Sequence, residues 1–190
     1  MSTTEPIRSL VKLEEFKNYY KLVKPNIRNY TLICLGINSA LRISDLLDLR
    51  WKDVYDFGGK RFLHHISLVE QKTQKKTAIA LNKNAIAALT DYLKAVSPSS
   101  SGCYLFPGRD SHLSRSQAFR IIKEAAKVTQ FEENISCHSL RKSFGYHAWK
   151  SGVQPAMLMS IYNHSSYQIT KRYLGINQDD KDSVFLKINL

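Results

Sequence analysis

Residues 136–176 decide the fold, and they read SCHSLRKSFGYHAWKSGVQPAMLMSIYNHSSYQITKRYLGI. Within them, residues 139–150 carry an apolar side chain at every fourth position, namely Leu140, Phe144 and Ala148. Apolar residues spaced in this way predict a helix with one stripe facing a hydrophobic core. The stretch therefore supplies a packed, rigid base on which polar side chains can be held.

Side chains that bind phosphate gather along the same stretch. His138 begins the predicted helix and Arg141 follows one turn later, roughly on the same face. A second helix is predicted after Pro155, and a third carries Tyr173, nine residues after His164. The stretch contains no acidic residue. Imidazole and guanidinium groups around a phenol, with no carboxylate among them, indicate chemistry on nucleic-acid phosphate.

These residues resemble the catalytic domain of the tyrosine recombinases, the phage-integrase type. That family carries a His-x-x-Arg box, a later His in a Leu-Gly-His-Ser-Ser-like segment, and a Tyr nine residues after that His. The corresponding residues here are His138, Arg141, His164 in IYNHSS, and Tyr173. Asn163 stands where the family usually has Gly, and Asn tolerates the same left-handed backbone. A lone His-x-x-Arg would carry no weight, whereas three boxes in the right order and spacing are specific.

Other tyrosines compete for the role of the reactive phenol. Tyr162 and Tyr167 flank His164, and Tyr146 lies on the helix predicted over residues 139–150. Tyrosines in such positions are usually packing residues with a wet hydroxyl. The spacing from His164 favours Tyr173.

The segment ALRISDLLDLRWKDV, residues 40–54, resembles the first box of the family. Arg42 lies in the turn between a buried helix predicted over residues 28–40 and a helix for which Ser44 is the expected N-cap. Judged by its apolar neighbours alone, the Arg42 side chain either reaches out to water or binds an anion. The resemblance implies that Arg42 is the first active-site arginine. It also implies that Asp45, where the family usually has Glu, orients a catalytic group.

A lysine-rich β-hairpin follows. Residues 61–70 alternate as a strand does, residues 77–81 form a second short strand, and QKTQKK connects them. Lysines at a hairpin tip are ordinarily a solvated turn. The family has a lysine at the start of this turn that reaches the scissile phosphate. The resemblance therefore assigns that role to Lys72, with Lys75 as a weaker second choice.

Two further segments complete the predicted domain. Residues 97–113 are rich in Ser, Gly and Pro and predict a surface loop. Ser114 is expected to cap the next helix, whose core stripe is predicted to contain Phe119, Ile122 and Ala126. The basic side chains on the outer face of that helix either follow the DNA backbone or only keep the helix soluble.

Length and composition bound the class of protein. The chain has 190 residues, enough for one domain, and 43% of them are hydrophobic, which fits a folded globular protein. The 28 Lys+Arg against 16 Asp+Glu produce a net charge of +12. That charge suits a polyanionic partner, although a basic protein without a specific partner would share it.

Cysteines and hydropathy indicate the compartment. The three cysteines show no CxxC spacing, so they predict neither a disulfide framework nor a zinc site, and they favour a reducing environment. No apolar run approaches 18 residues, and the N-terminus has no signal-like core. We expect a cytoplasmic, nucleoid-associated protein encoded by a bacterium or phage, with no membrane contact.

The resemblance implies a mainly helical α+β fold with a small antiparallel sheet, the tyrosine-recombinase catalytic domain. We expect residues 1–190 to form this one domain, with residues 1–8 flexible. Residues 177–190 are predicted to form a C-terminal tail or helix that packs on its own domain or docks on a neighbouring subunit. Its apolar residues are Val184, Phe185, Leu186 and Ile188. We expect the chain to carry only the catalytic half of a typical integrase, without the helical arm domain that usually precedes it in the family.

The implied function is site-specific recombination or integration of double-stranded DNA through a covalent 3′-phosphotyrosyl intermediate. The reaction needs no cofactor and no metal, and the enzyme assembles as a dimer to tetramer on DNA. The candidate catalytic residues are Arg42, Lys72, His138, Arg141, His164 and the nucleophile Tyr173, supported by Asp45. Two alternatives are a recombinase-derived DNA-binding protein that does not cleave and a type IB topoisomerase-like enzyme.

Overall fold

The computed structural model describes residues 4–72, 74–176 and 178–188. Its described part is mainly helical with two small two-stranded sheets, which confirms the predicted fold class. The α-helices are α1 (Leu10–Asn18), α2 (Ile27–Ser39), α3 (Ile43–Asp48), α4 (Lys83–Val96), α5 (Arg115–Val128), α6 (Cys137–Lys150), α7 (Pro155–Tyr162), α8 (Tyr167–Leu174) and α9 (Gln178–Lys187). A π-helix (Tyr19–Val23) follows α1, and a 3-10 turn (Trp51–Asp53) follows α3.

Both sheets are antiparallel hairpins. Strands β1 (Tyr55–Asp56) and β2 (Arg61–Phe62) form the first. Strands β3 (His65–Val69) and β4 (Lys76–Ala80) form the second, with a register that runs from His65 opposite Ala80 to Val69 opposite Lys76. The second hairpin is the predicted one, but the single strand predicted over residues 61–70 is divided, since residues 61–62 pair with β1 and only residues 65–69 pair with β4. Its turn contains the lysine-rich segment.

Helix α2 is the central buried element, and its end sets the position of α3. Asn26 caps its start by accepting a hydrogen bond from the Asn29 N–H at 3.0 Å. Ala40 ends it in the left-handed conformation, with φ 54°. After this sharp turn the Leu46 N–H bonds the Arg42 carbonyl at 2.9 Å. Arg42 is therefore the cap residue of α3, and the prediction that Ser44 caps this helix is wrong by two residues.

The buried face of α5 contains Ile122 and Ala126 as predicted, but it does not contain Phe119. Ala118, Ile122 and Ala125 are buried, whereas Phe119 is 44% exposed. Positions 118, 122 and 125 follow the i, i+4, i+7 spacing of one helix face, and position 119 is rotated about 100° from it. The small alanines allow close packing of α5, so the large ring turns outward and Lys123 Nζ lies 5.7 Å from its centroid.

The segment before α5 is not simply a surface loop. Leu105, Phe106 and Leu113 are buried in the same cluster as Trp51. Its backbone is satisfied by neighbouring segments, since the Leu105 N–H bonds the Leu49 carbonyl at 2.7 Å. Buried backbone polar groups need such partners, which explains how an irregular segment lies inside the core.

The described part of the N-terminal segment, residues 4–8, is packed rather than flexible. Ile7 is fully buried, and its N–H donates to Ser143 Oγ at 2.8 Å. Arg8 Nη2 donates to the Gly175 carbonyl at 3.0 Å, at the end of α8. Burial of the Ile7 side chain and these hydrogen bonds together outweigh the conformational entropy that is lost when the segment becomes ordered.

The C-terminal segment forms α9, in agreement with the helix alternative. Asp180 near its start pairs with Lys150 of α6 at 2.6 Å. Further along, Phe185 and Leu186 are 77% and 79% exposed, so these side chains do not pack on their own domain. Residues 177, 189 and 190 of the predicted tail lie outside the described residues. Within the described ranges, no helix combines the length and apolar character needed to cross a bilayer.

Candidate active site

Arg141 lies at the centre of the site, where three helices meet. It comes from the first turns of α6 and is almost fully buried. Its Nη2 donates to the Tyr162 carbonyl at 3.0 Å, and its Nη1 donates to the Ala40 carbonyl. These are carbonyls at the C-terminal ends of α7 and α2, which lack helical partners and carry partial negative charge. The guanidinium therefore joins two helix ends to α6.

Arg42 reaches the same carbonyl from the other side. Its Nη2 lies 3.5 Å from the Tyr162 oxygen, and its Nη1 pairs with Glu70 Oε2 at 2.5 Å. The predicted arginines Arg42 and Arg141, which are 99 residues apart in sequence, thus lie side by side around one backbone oxygen. Because both guanidinium groups remain charged at any physiological pH, the site carries a concentrated positive potential.

The predicted phenol lies beside these cations. The Tyr173 ring centroid is 5.0 Å from that of His164, edge to face, and 5.1 Å from that of Tyr162. The Arg141 guanidinium carbon is 5.9 Å from the Tyr173 ring centroid. Asn163 adopts the left-handed conformation, with φ 52° and ψ 40°, as predicted for the position where the family has Gly. That turn brings His164 back over the start of α8, where its Nδ1 is 3.0 Å from Thr170 Oγ1.

The protonation states follow from burial and from the two arginines. Burial raises the pKa of Tyr173, while the Arg141 and Arg42 charges and a hydrogen bond with Arg141 act in the opposite direction. Burial, followed by the same two charges, lowers the pKa of His164 to about 4. His164 is therefore a neutral imidazole at pH 7, and an unprotonated ring nitrogen can accept a hydrogen bond.

His138 lies at the mouth of the site, in the first turn of α6. Its side chain is exposed, yet partial loss of water lowers its pKa, as do the charges of Lys142, Arg141, Lys72 and Arg42, in that order. These cations are close enough to act on one imidazole. Lys72 is exposed in the turn after β3, and its charge acts on the His138 imidazole in the same direction as the charges of the arginines.

Asp45 contacts the hairpin rather than another candidate side chain. It is buried on α3, and its Oδ1 accepts a hydrogen bond from the Gln71 N–H at 3.0 Å. Lys72 is the next residue. The contact that the structure records for Asp45 therefore fixes the start of the lysine-bearing turn. Among the described residues, no group of three or more His, Cys, Asp and Glu is arranged to hold a metal ion.

Two residues of the site were missed by sequence reasoning. Glu70 pairs with Arg42, and its only sequence signal is an acidic residue at the end of a strand before a lysine-rich turn. Tyr162 was expected to be an ordinary packing residue, yet its carbonyl binds both arginines and its hydroxyl donates to the Arg141 carbonyl at 2.8 Å. No local pattern distinguishes such a tyrosine, because its role depends on α6 and α8.

The chain belongs to the phage integrase family, the tyrosine recombinases, whose model matches residues 10–179. The chain is 42% identical over 181 residues to the probable integrase/recombinase YoeC of Bacillus subtilis, covering 94% of this chain and 93% of that protein. It is 26% identical to a tyrosine recombinase of Thermosipho africanus, covering 85% of this chain and 54% of that protein. The chain thus spans about half the length of the longer relatives.

Solved structures show the same fold at low sequence identity. The crystal structure of the XerA recombinase superposes with a TM-score of 0.79 at 18% identity, over 99% of this chain and 68% of that one. A post-cleavage complex of the XerH site-specific recombinase with its palindromic difH substrate superposes with a TM-score of 0.76 at 19% identity, over 97% of this chain and 53% of that one. These similarities confirm the catalytic-domain fold.

Proposed function

We propose that this protein is a site-specific DNA recombinase or integrase that cleaves and rejoins double-stranded DNA through a covalent 3′-phosphotyrosyl intermediate. One observation carries the proposal: the Tyr173 ring lies within 6 Å of both the Arg141 guanidinium (5.9 Å) and the His164 imidazole (5.0 Å), and Arg42 lies next to Arg141. A nucleophile, a proton acceptor and two fixed cations are thus within reach of one phosphate. Membership of the phage integrase family supports the same reaction class.

The cleavage step uses these groups in defined roles. The Tyr173 oxygen attacks the scissile phosphorus, and the phenol proton passes to a neutral imidazole, for which His164 is the candidate because its ring contacts that of Tyr173. Arg42 and Arg141 bind the non-bridging oxygens and stabilise the charge that grows in the transition state. His138 donates a hydrogen bond to the same phosphate.

Departure of the 5′-oxygen completes cleavage, and the reverse reaction rejoins the DNA. The bond between phosphorus and the 5′-oxygen breaks, and Lys72 supplies the proton that this oxygen takes up. The phosphotyrosyl ester keeps the bond energy, so a 5′-hydroxyl from another strand can attack it and release Tyr173. Since no bond energy is lost, the exchange requires neither a nucleotide cofactor nor a metal.

Assembly on DNA is part of the proposal. The net charge of +12 favours contact with a polyanion, and phosphate contacts set most of the affinity for DNA. The exposed apolar side chains of α9 then dock on a neighbouring subunit in a dimer or tetramer. Neighbouring structures support such a complex, since one of them is a lambda integrase dimer bound to a core site. We further propose that the protein acts on DNA of the nucleoid.

Capture of covalent protein–DNA adducts tests the nucleophile and the DNA site together. Cells that express the protein are lysed in denaturant, the DNA that remains attached is recovered and sequenced, and Tyr173→Phe is compared with the parent. Tyr167→Phe is the matched control, because Tyr167 lies on the same helix and is 47% exposed. We expect adducts at one recurring junction, lost in Tyr173→Phe and kept in Tyr167→Phe, with DNA affinity of both variants within a few-fold of the parent.

Other outcomes decide between the classes of function. Adducts that persist in Tyr173→Phe would move the nucleophile to another residue. Adducts scattered over the genome would favour a topoisomerase-like activity. An absence of adducts, with DNA binding intact, would favour a recombinase-derived binding protein.

A further inference from the structure

A buried carboxylate lies against one of the two arginines of the site. Glu70 Oε2 is 2.5 Å from Arg42 Nη1, and the two side chains are 2% and 17% exposed. A carboxylate buried to this degree is costly unless a charged partner compensates it, so this pair differs from a surface ion pair. One edge of the Arg42 guanidinium is held by Glu70, and Nη2 on the other edge is directed at the Tyr162 carbonyl, next to Arg141.

The same residue closes the turn that carries Lys72. The Glu70 N–H donates to the Lys75 carbonyl at 3.0 Å, and the Gln74 N–H donates to the Glu70 carbonyl at 2.9 Å. Gln71, the next residue, is held by Asp45. The backbone of Glu70 therefore defines the turn, while its side chain defines the position of Arg42. A shift of Glu70 therefore moves both the turn and the Arg42 side chain.

A negative charge at this place opposes the proposed chemistry unless it has a further role. A carboxylate beside a guanidinium that grips phosphate weakens the attraction for that phosphate. The carboxylate can offset this cost by holding the catalytic groups in place. Catalytic groups accelerate a reaction only in the productive arrangement, and misplacement by about 1 Å can cost about 100-fold in rate. Arg42 and Lys72 come from separate elements, and Glu70 joins them through the Arg42 side chain, in addition to the contact that Asp45 of α3 makes with Gln71.

We propose that Glu70 is a positioning residue for DNA cleavage, which holds Arg42 and the Lys72 turn in one fixed relation around the scissile phosphate. This inference rests on the proposed function, since the relation matters for cleavage only if both residues act on one phosphate. It predicts that a change at Glu70 affects the rate of DNA cleavage and the affinity for DNA differently. Glu70→Gln keeps the shape of the side chain and removes its charge, so DNA affinity is unchanged or higher while cleavage is slower.

The first test measures cleavage and binding of the full chain. The adduct yield per molecule of protein in cells falls about 10- to 100-fold in Glu70→Gln, while affinity for a nonspecific DNA duplex is equal to or above that of the parent. Glu124→Gln is the control, because Glu124 is also paired with a cation, Lys24 at 2.5 Å, but on α5. The control keeps the adduct yield of the parent. A parental yield in a folded Glu70→Gln would overturn the proposal.

The second test needs no activity. Lys72 and Lys75 in the turn and Lys76 at the start of β4 are trypsin sites, and Glu70→Gln speeds cleavage there several-fold relative to the parent and to Glu124→Gln. If Glu70→Gln does not fold, Glu70→Asp keeps the charge, shortens the side chain by one methylene, and shows smaller effects in the same directions. Unchanged proteolysis of the turn in a folded Glu70 variant refutes the positioning role. If the parent forms no adduct, the proposed function fails, and proteolysis alone decides whether Glu70 holds the turn.

Discussion

Gly145 is the position where the smallest substitution should disturb the site most. It lies on the buried face of α6, and a Cβ added there would collide with the Tyr162 hydroxyl and lie 2.9 Å from both Tyr162 Cε2 and Cζ. Tyr162 is fully buried, so its ring has no open space to enter. Gly145→Ala therefore forces a shift of Tyr162, whose carbonyl holds Arg141 and whose ring packs 5.1 Å from that of Tyr173.

The expected loss of stability is the sum of two unfavourable effects and one favourable effect. Overpacking a well-packed core costs about 1–3 kcal/mol. Loss of the hydrogen bond from the Tyr162 hydroxyl to the Arg141 carbonyl costs about 1 kcal/mol more. Replacing glycine by alanine inside a helix offsets about 1 kcal/mol. The net loss is about 1–3 kcal/mol, and each kcal/mol lowers the melting temperature of a domain of this size by about 2–4 °C.

Thermal unfolding in two backgrounds measures this effect. Gly145→Ala lowers the melting temperature of the parent, and it costs less when combined with Tyr162→Phe, because the colliding hydroxyl is then absent. The adduct yield of Gly145→Ala also falls at temperatures where the variant is folded, since the carbonyl shared by the arginines is displaced. A variant that melts at or above the parental temperature, or an equal cost in both backgrounds, would refute the reasoning.

Two further predictions concern charge at the site. Arg141→Ala lowers the adduct yield about 100- to 1,000-fold, as loss of one preorganised donor does, while DNA affinity in a filter-binding assay changes far less; near-normal cleavage would exclude the role assigned to Arg141. The pKa of about 4 for His164 is measurable by NMR titration of its imidazole, and a value near 6.5 would contradict the burial described here. Because the folded state holds this ring neutral, the unfolded state binds more protons between about pH 6.5 and 4. The free energy of unfolding of the parent, relative to that of His164→Gln, therefore decreases as the pH falls from about 6.5 to about 4.

Elements with strong local periodicity were predictable from the sequence. The helix that carries His138 and Arg141 one turn apart, the helix that carries Tyr173, and the lysine-bearing hairpin all appear where spacing placed them. The left-handed Asn163 was also expected, because Asn adopts this backbone more readily than most residues. In each of these cases the information lies within one or two turns of chain.

Predictions failed where a helix face or a cap depended on distant partners. The apolar pattern of α5 allowed Phe119 in the core stripe, but the domain packs against the neighbouring alanine face and leaves the ring exposed. Ser44 is a good cap by residue type, yet the left-handed Ala40 starts α3 earlier. The packing of Ile7 against α6 likewise depends on residues more than 130 positions away.

The sequence by itself identified the family, because its boxes depend on residue type and on spacing along the chain, and the resemblance to that family implied the mainly helical fold and the candidate catalytic residues. Only the tertiary structure decided how the candidates are held. Arg141 and Arg42 meet at the Tyr162 carbonyl, and Glu70 fixes Arg42 from a hairpin 28 residues further along. Such contacts use helix ends and buried charges, whose partners are chosen by packing in three dimensions and leave no periodic signal in the sequence.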